Sequence, residues 1–222
     1  MVDKKNKLDF IDDDFSFEEE LKNNLNANDD EVFQDPEYNA NLVDNENEVA
    51  NDMDEYTVRI FGLDNSGKTL LMMNLIDPKE DNIFQVEPTT DSNADTYIYK
   101  ETKFNFWDIS GAKDNRENWK SYFHYSDGFI FVVDVSDKVR LDEAKKALNE
   151  FIMPEVNDGG IPLLIYANKN DKLNKSVEGK DVLESLGVKA NDNLAVQVCS
   201  AKTFKGLKEG FDWLFGKIKV YS

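Results

Sequence analysis

The 222 residues contain one cysteine, Cys199, and one histidine, His124. A lone cysteine excludes an intramolecular disulfide and a cysteine-based metal cluster, and it suits a reducing compartment. No stretch approaches the roughly 20 consecutive apolar residues of a membrane-spanning helix. Basic charge is in deficit, with 26 Lys plus Arg against 45 Asp plus Glu and a net charge of −19. That excess repels nucleic-acid phosphate and anionic membrane, so neither is an expected partner. The first thirty residues lack the apolar run of a secretory signal, and Val2 rather than glycine follows Met1. No cysteine stands in Ile218-Lys219-Val220-Tyr221-Ser222, so no lipid anchor is expected, and cytoplasm is the expected location.

The negative charge is unevenly spread. Residues 1–55 hold 19 acidic residues against 4 lysines, a net of −15, which leaves −4 for residues 56–222. Rich in Asn, Asp and Glu and without regular apolar spacing, the first segment cannot bury enough surface to offset the entropy of ordering it. Residues 1–55 are therefore expected to be an acidic, disordered tail and 56–222 a folded domain. Phe10, Ile11, Phe15, Phe17 and Leu21 could share one face of a short helix within the tail, or be scattered apolar residues.

From residue 56 short apolar runs alternate with amphipathic stretches, the pattern of a mostly parallel sheet with crossover helices. Strands are predicted over 56–61, 96–100, 104–108, 128–134, 163–168 and 194–199. Only Glu101-Thr102-Lys103 separates the second from the third, so these two should form an antiparallel hairpin. Leu141, Ala144, Leu148, Phe151 and Ile152 share a helical face, with Asp137 or Ser136 placed to cap its start and Pro154 expected to stop it. Phe204, Leu207, Phe211, Trp213, Leu214 and Ile218 mark a last helix.

Directly after the first strand stands Gly62-Leu63-Asp64-Asn65-Ser66-Gly67-Lys68-Thr69, a complete G-x-x-x-x-G-K-[ST] phosphate loop. With glycine near 7% of residues, a chance match in a chain this long is expected about 1% of the time. Leu70, Leu71 and Leu75 continue as a helix whose free N–H groups and dipole would face an anion. Lys68 would reach the β and γ phosphates and the Thr69 hydroxyl would ligate Mg²⁺. At the end of the fifth strand, Asn168-Lys169-Asn170-Asp171 has the form N-K-x-D. A carboxylate at Asp171 can accept from both N1–H and the 2-amino group of guanine, a pair of donors that adenine lacks, while the Lys169 stem covers the base.

Together with Trp107-Asp108, Trp119 and Tyr122-Phe123, the loop G-L-D-N-S-G-K-T resembles small GTPases of the ADP-ribosylation-factor-like family, and the resemblance spans nearly all of residues 56–222. It implies the P-loop NTPase fold, a six-stranded mostly parallel sheet with one antiparallel edge strand and helices on both faces. It also implies a switch that binds GTP or GDP with Mg²⁺, hydrolyses GTP, and works with effectors, exchange factors and GTPase-activating proteins, as a monomer. Nucleotide-binding residues carried over are Gly62 to Thr69 with Leu70, then Asp108, Gly111, Asn168, Lys169, Asp171, Ser200, Ala201 and Lys202. Within these, the Ala201 N–H would meet the guanine O6 and Asp108-Ile109-Ser110-Gly111 would place Asp108 near Mg²⁺ and the Gly111 N–H near the γ-phosphate. Thr89, chosen over Thr90, would join Thr69 and Asp108 as a metal ligand in the GTP state, and Lys68, Thr89 and Gly111 would carry catalysis.

Three departures stand out. Asp91 and Ser92 occupy places where the family usually carries glycine and phenylalanine, so of three effector-facing aromatics only Trp107 and Tyr122 remain. The acidic segment before the domain is not expected to supply the family's amphipathic membrane helix. Ala112 follows Gly111 where a glutamine usually orients the attacking water, so hydrolysis is expected to be very slow without a partner. A nucleotide-bound scaffold that never cycles is the alternative function, whereas an adenine-nucleotide kinase conflicts with Asn168 to Asp171. His124 is expected in a partly buried structural role and Cys199 packed in a strand or near the base.

Overall fold

Successive residues of the strand Gly128–Asp134 (β4) go to opposite sides of the sheet, Phe129, Phe131 and Val133 to one core and Ile130 and Val132 to the other. A strand buried on both faces reads as a continuous apolar run rather than as alternation, and β4 does so. The computed structural model describes residues 53–84 and 86–221. The tail reading for residues 1–52, with its candidate face of Phe10, Ile11, Phe15, Phe17 and Leu21, lies outside the described residues.

The strands Glu55–Phe61 (β1), Ser92–Tyr99 (β2), Thr102–Ile109 (β3), β4, Leu163–Asn168 (β5) and Leu194–Val198 (β6) form one sheet in the order β2-β3-β1-β4-β5-β6. Every pairing is parallel except β2 with β3, the expected hairpin at the edge. The edge strand begins at Ser92, four residues before its predicted start at 96, because Ser92 and Asn93 pair with Ile109 and Asp108 although β2 is mostly exposed and carries little apolar signal.

Helices Lys68–Ile76 (α1) and Leu207–Tyr221 (α5) close one face of the sheet, burying Leu71, Met72, Leu75, Phe211, Leu214 and Ile218 with Val58, Ile60, Phe104 and Phe106. Phe104 and Phe106 both meet Phe211, at centroid distances of 5.1 and 5.4 Å. The opposite face is covered by Leu141–Ala147 (α2), Met153–Gly159 (α3) and Gly179–Leu186 (α4). Both faces thus carry helices. Phe204, expected in the last helix, precedes it with φ 63° and is half-buried.

The expectation that Pro154 ends its helix is corrected. A π turn over Leu148–Ile152 hands the chain from α2 to α3, and Pro154 lies in the first turn of α3, where its missing N–H has no helical partner to lose. The helix stops instead at Gly160, in the left-handed region with φ 68°. Asp137 rather than Ser136 makes the cap, its side chain accepting from the Arg140 N–H. His124 is corrected too: Phe123 takes the buried place, the chain turns at Tyr125 with φ 58°, and His124 is exposed. Among the described residues no helix is long and apolar enough to cross a membrane.

Candidate nucleotide and magnesium site

At the carboxyl end of β1 the chain must reverse into α1 within a few residues, and two glycines decide how closely it can pass its neighbours. Gly62 has φ 140°, and a Cβ there would lie 2.3 Å from the Val132 carbonyl oxygen. A Cβ on Gly111, at the end of β3, would lie 2.2 Å from the Gly62 oxygen and 2.4 Å from the Asp64 nitrogen. Only glycine admits this contact. It seats the loop after β3 directly on the phosphate loop, with the Asp64 N–H donating to the Gly111 carbonyl at 3.0 Å.

Lys68 is buried, and its ammonium donates to the Leu63 carbonyl at 3.1 Å. Burial holds its pKa below the ordinary lysine value, against the opposing pull of Asp108 and Asp64. A desolvated ammonium beside a carbonyl is ready to meet an anion, since an anion would relieve the cost of burying the charge. The Ser66 hydroxyl is buried with no protein partner. Gly67 begins α1 with φ 95°, and Leu70, half-buried, anchors the first turn of α1 on the core.

Three residues from distant segments converge beside Lys68. The Thr69 hydroxyl donates to Asp108 Oδ2 at 2.5 Å, and the Thr89 hydroxyl donates to the same oxygen at 2.9 Å. The two hydroxyl oxygens lie 3.2 Å apart. Asp108 is fully buried, and its Oδ1 has no partner. Such an oxygen is costly to leave unpaired. Two hydroxyls and a carboxylate are hard donors of the kind Mg²⁺ takes, and an orphaned buried carboxylate oxygen fits a cation there. Thr90, by contrast, is exposed and contributes its carbonyl to another contact.

The end that holds the N-K-x-D element is organised by Asn168. Its side-chain amide donates to the Ser66 carbonyl at 2.9 Å, and its Oδ1 accepts from the Ala201 N–H at 2.8 Å, so one buried side chain joins the phosphate loop to the loop after β6. The Ala201 N–H that the resemblance assigns to guanine is thus engaged by Asn168. Asp171 is exposed, with Oδ1 accepting from the Ser200 hydroxyl at 2.6 Å. Lys169, with φ 62°, stretches over the phosphate loop to the Asn65 carbonyl at 2.5 Å and pairs with Asp134 at 2.9 Å. Lys202 is exposed. Cys199 is buried, its thiol 3.8 Å from Asn168 Oδ1 and pushed well above the ordinary range by burial.

Several contributors escaped the motifs. Asn74 and Asn82 are buried polar residues: Asn82 donates to Asn74 Oδ1 at 2.6 Å and to the Asp77 carbonyl at 2.8 Å, while Asn74 donates to the Ala201 carbonyl at 2.8 Å. Asn74 shares the buried face of α1 with Leu71 and Leu75, and a polar residue at that spacing was the available signal. Asp64 is held by Arg140 at 2.7 Å and Arg116 at 3.3 Å, and Glu143 binds both arginines. The hydrogen bond from Arg140 holds the Asp64 and Glu143 carboxyls below their usual range.

This geometry has counterparts in known proteins. Residues 44–218 match the model of the ADP-ribosylation factor family. ADP-ribosylation factor-like protein 2 of Arabidopsis thaliana is 37% identical over 163 residues, covering 72% of this chain and 85% of that one. ADP-ribosylation factor-like protein 3 of Chlamydomonas reinhardtii is 33% identical, covering 74% of this chain and 92% of that one. Among solved structures, the Arl6 BBS3 small GTPase from Trypanosoma brucei, bound to the nucleotide analogue GppNp, superimposes with a TM-score of 0.65 at 29% identity, covering 76% of this chain and 99% of that one. The chain belongs to the ADP-ribosylation factor family and is a small GTPase that binds GTP and GDP with Mg²⁺.

Proposed function

We propose that this chain is a switch that recruits effectors in its GTP state and hydrolyses GTP very slowly until a partner completes its active site. The carrying observation is Ala112, which follows the Gly111 seated on the phosphate loop and presents a methyl group where a water would need a hydrogen-bonding side chain. In this reading Lys68 and the N–H groups of Gly62 to Leu70 hold the phosphates, and Thr69, Thr89 and Asp108 hold the metal. When bound there, Mg²⁺ would supply neutralising charge to the phosphates. Asp171 reads the base, joined by the Ala201 N–H once it exchanges its bond to Asn168 Oδ1, with Asn168, Lys169, Ser200 and Lys202 shaping that end. Lys68, Thr89 and the Gly111 N–H face the γ-phosphate.

Arg116, the nearest arginine to Ala112, is 6% exposed and donates to the Gly111 carbonyl at 3.0 Å, to Glu143 at 2.7 Å and to Asp64 at 3.3 Å. Reaching a phosphate would break these bonds, so the stabilising charge is left to a GTPase-activating partner. Exchange factors and effectors complete the cycle, which a monomer in the cytoplasm can run. In this reading residues 56–222 are the catalytic domain and 1–55 an acidic tail, with Glu55 at the boundary already taken into β1.

Single-turnover hydrolysis at saturating Mg²⁺ tests this. Ala112→Gln should raise the intrinsic rate by about tenfold or more, because a positioned water replaces a disordered one. A wild-type rate equal to that of glutamine-containing relatives would refute the reading.

A further inference from the structure

Asp64 puts a carboxylate on the third residue of a loop whose free N–H groups and lysine suit an anion. Uncovered, that carboxylate would repel the phosphates the loop is read to hold. Arg140, immediately before α2, covers it. Its Nη2 donates to Oδ1 at 2.7 Å and its Nη1 to Oδ2 at 3.2 Å, while Nη1 also donates to the Asp64 carbonyl at 3.2 Å. Arg116 adds a bond to Oδ1 at 3.3 Å. Glu143 holds both arginines, 2.8 Å from Arg140 Nε and 2.7 Å from Arg116 Nη1, so two acids and two bases close into a group without net charge.

A guanidinium fork fixes the plane of a carboxylate as well as its distance, which a single point charge does not. The Asp64 carboxylate is also within electrostatic reach of Lys68: burial lowers the pKa of that ammonium, and Asp108 and Asp64 pull it the other way. We propose that Arg140 is a positioning residue that holds the Asp64 carboxylate on the α2 side of the phosphate loop and covers its charge, so that an anion-binding loop can carry an acid. Its effect on the nucleotide passes through Asp64. Without Arg140, Asp64 and Glu143 are left to share Arg116. The inference rests on the reading that the phosphates lie on Gly62 to Thr69.

The full-length chain with Mg²⁺ and fluorescent GDP tests this through the dissociation constant, taken from binding and release rates. Arg140→Met keeps much of the aliphatic stem and should weaken GDP by about fivefold at low salt. At about 1 M salt, where the screening length is about 3 Å, the loss should shrink below about twofold, which a packing defect would not do. Arg140→Lys keeps the charge and should recover most of the loss. Adding Asp64→Asn to Arg140→Met should bring GDP affinity back to within about twofold of the wild type. The gain from Asp64→Asn should be at least about threefold larger in that background than in the wild type, because only there is the carboxylate uncovered. A loss that ignores salt, no recovery with Asp64→Asn, or equal gains in the two backgrounds overturns the proposal.

Lys68→Ala checks the premise separately, and it should weaken GDP on the order of 100-fold because the phosphates lose a charged donor. That loss together with unchanged binding in Arg140→Met overturns the proposal alone. GDP affinity untouched by Lys68→Ala takes the phosphates off this loop and overturns the proposal through its premise.

Discussion

The two ends of the nucleotide site are built differently. At the end that holds the N-K-x-D element, Asn168, Asn74 and the Ala201 backbone are buried, and the loops leave the ends of β5, which is paired on both sides, and of the edge strand β6. At the other end, Thr89 to Asp91 lead into an edge strand, held by one bond from the buried Ser110 hydroxyl and by exposed bonds from Asn115 and Tyr122. A buried polar network is costly to open, because every group it strands loses water as well as its partner. Exposed ties are weaker, each close to a water-mediated alternative. In the proposed reading, the base end is thereby the more rigid of the two, and the segment around Thr89 is held in part by exposed bonds that are easier to exchange.

The largest expected effect falls at the base end. Asp171→Asn should weaken GDP binding by at least about 100-fold, because a charged acceptor of two donors becomes an amide with one donor facing them, and it should admit xanthine nucleotides. Competition between GDP, ATP and XDP measures it, and equal wild-type affinity for ATP and GDP would break the comparison at its rigid end.

Asn82→Ala lies between the two ends. It strands Asn74 Oδ1 and the Asp77 carbonyl, at a cost of about 1–3 kcal/mol, or several degrees in melting temperature. Since Asn74 also holds the Ala201 carbonyl, GDP release should quicken as well. A stability loss with unchanged release would show that the two ends are energetically separate.

Smaller still is the acid sensitivity of the ties between the phosphate loop and Arg140. Asp64 and Glu143 have folded-state pKa values below their usual ones of 3.8 and 4.5, so their contribution is present above the carboxylate range and is lost as pH falls through the lowered values. Arg140→Ala should lower stability by no more than about 1 kcal/mol, given that the Asp64 side chain is 53% exposed and screened by solvent. Melting curves of the two proteins should differ by a constant amount from about pH 8 to 5 and converge below about pH 4. A gap that persists at lower pH would place the effect of Arg140 in packing.

Deleting residues 1–50 should change least. Neither GDP affinity nor the melting temperature of the domain should move by more than about 2 °C or twofold, because a charged segment poor in apolar spacing contributes little to a core. A larger drop would assign the tail to the folded unit.

Much of the site was legible before any coordinates. The phosphate loop and the N-K-x-D element are runs of adjacent residues at strand ends, and their chemistry is carried by backbone geometry and one or two side chains within the run. The hairpin was legible because three residues cannot make a crossover. Pro154 misled because a helix-breaking residue is harmless in a first turn, and a π turn that creates a new first turn leaves no mark in the apolar spacing. The early start of β2 was hidden because an exposed edge strand follows its partner's ladder rather than a hydrophobic pattern.

By itself, then, the sequence determined the fold class, the family and the phosphate-loop motif, since each depends on local order along the chain, and it put Ala112 after Gly111. Tertiary structure alone decided which polar side chains bind those loops to one another. Asn74 meets Ala201 across 127 positions, Arg140 meets Asp64 across 76, and Ser110 meets Thr89 across 21. Asn, Ser and Arg are ordinary surface residues by composition, and a hydrogen bond between distant segments imposes no period on either of them. Only the sheet, by bringing the ends of β1, β3, β5 and β6 side by side, makes partners of them.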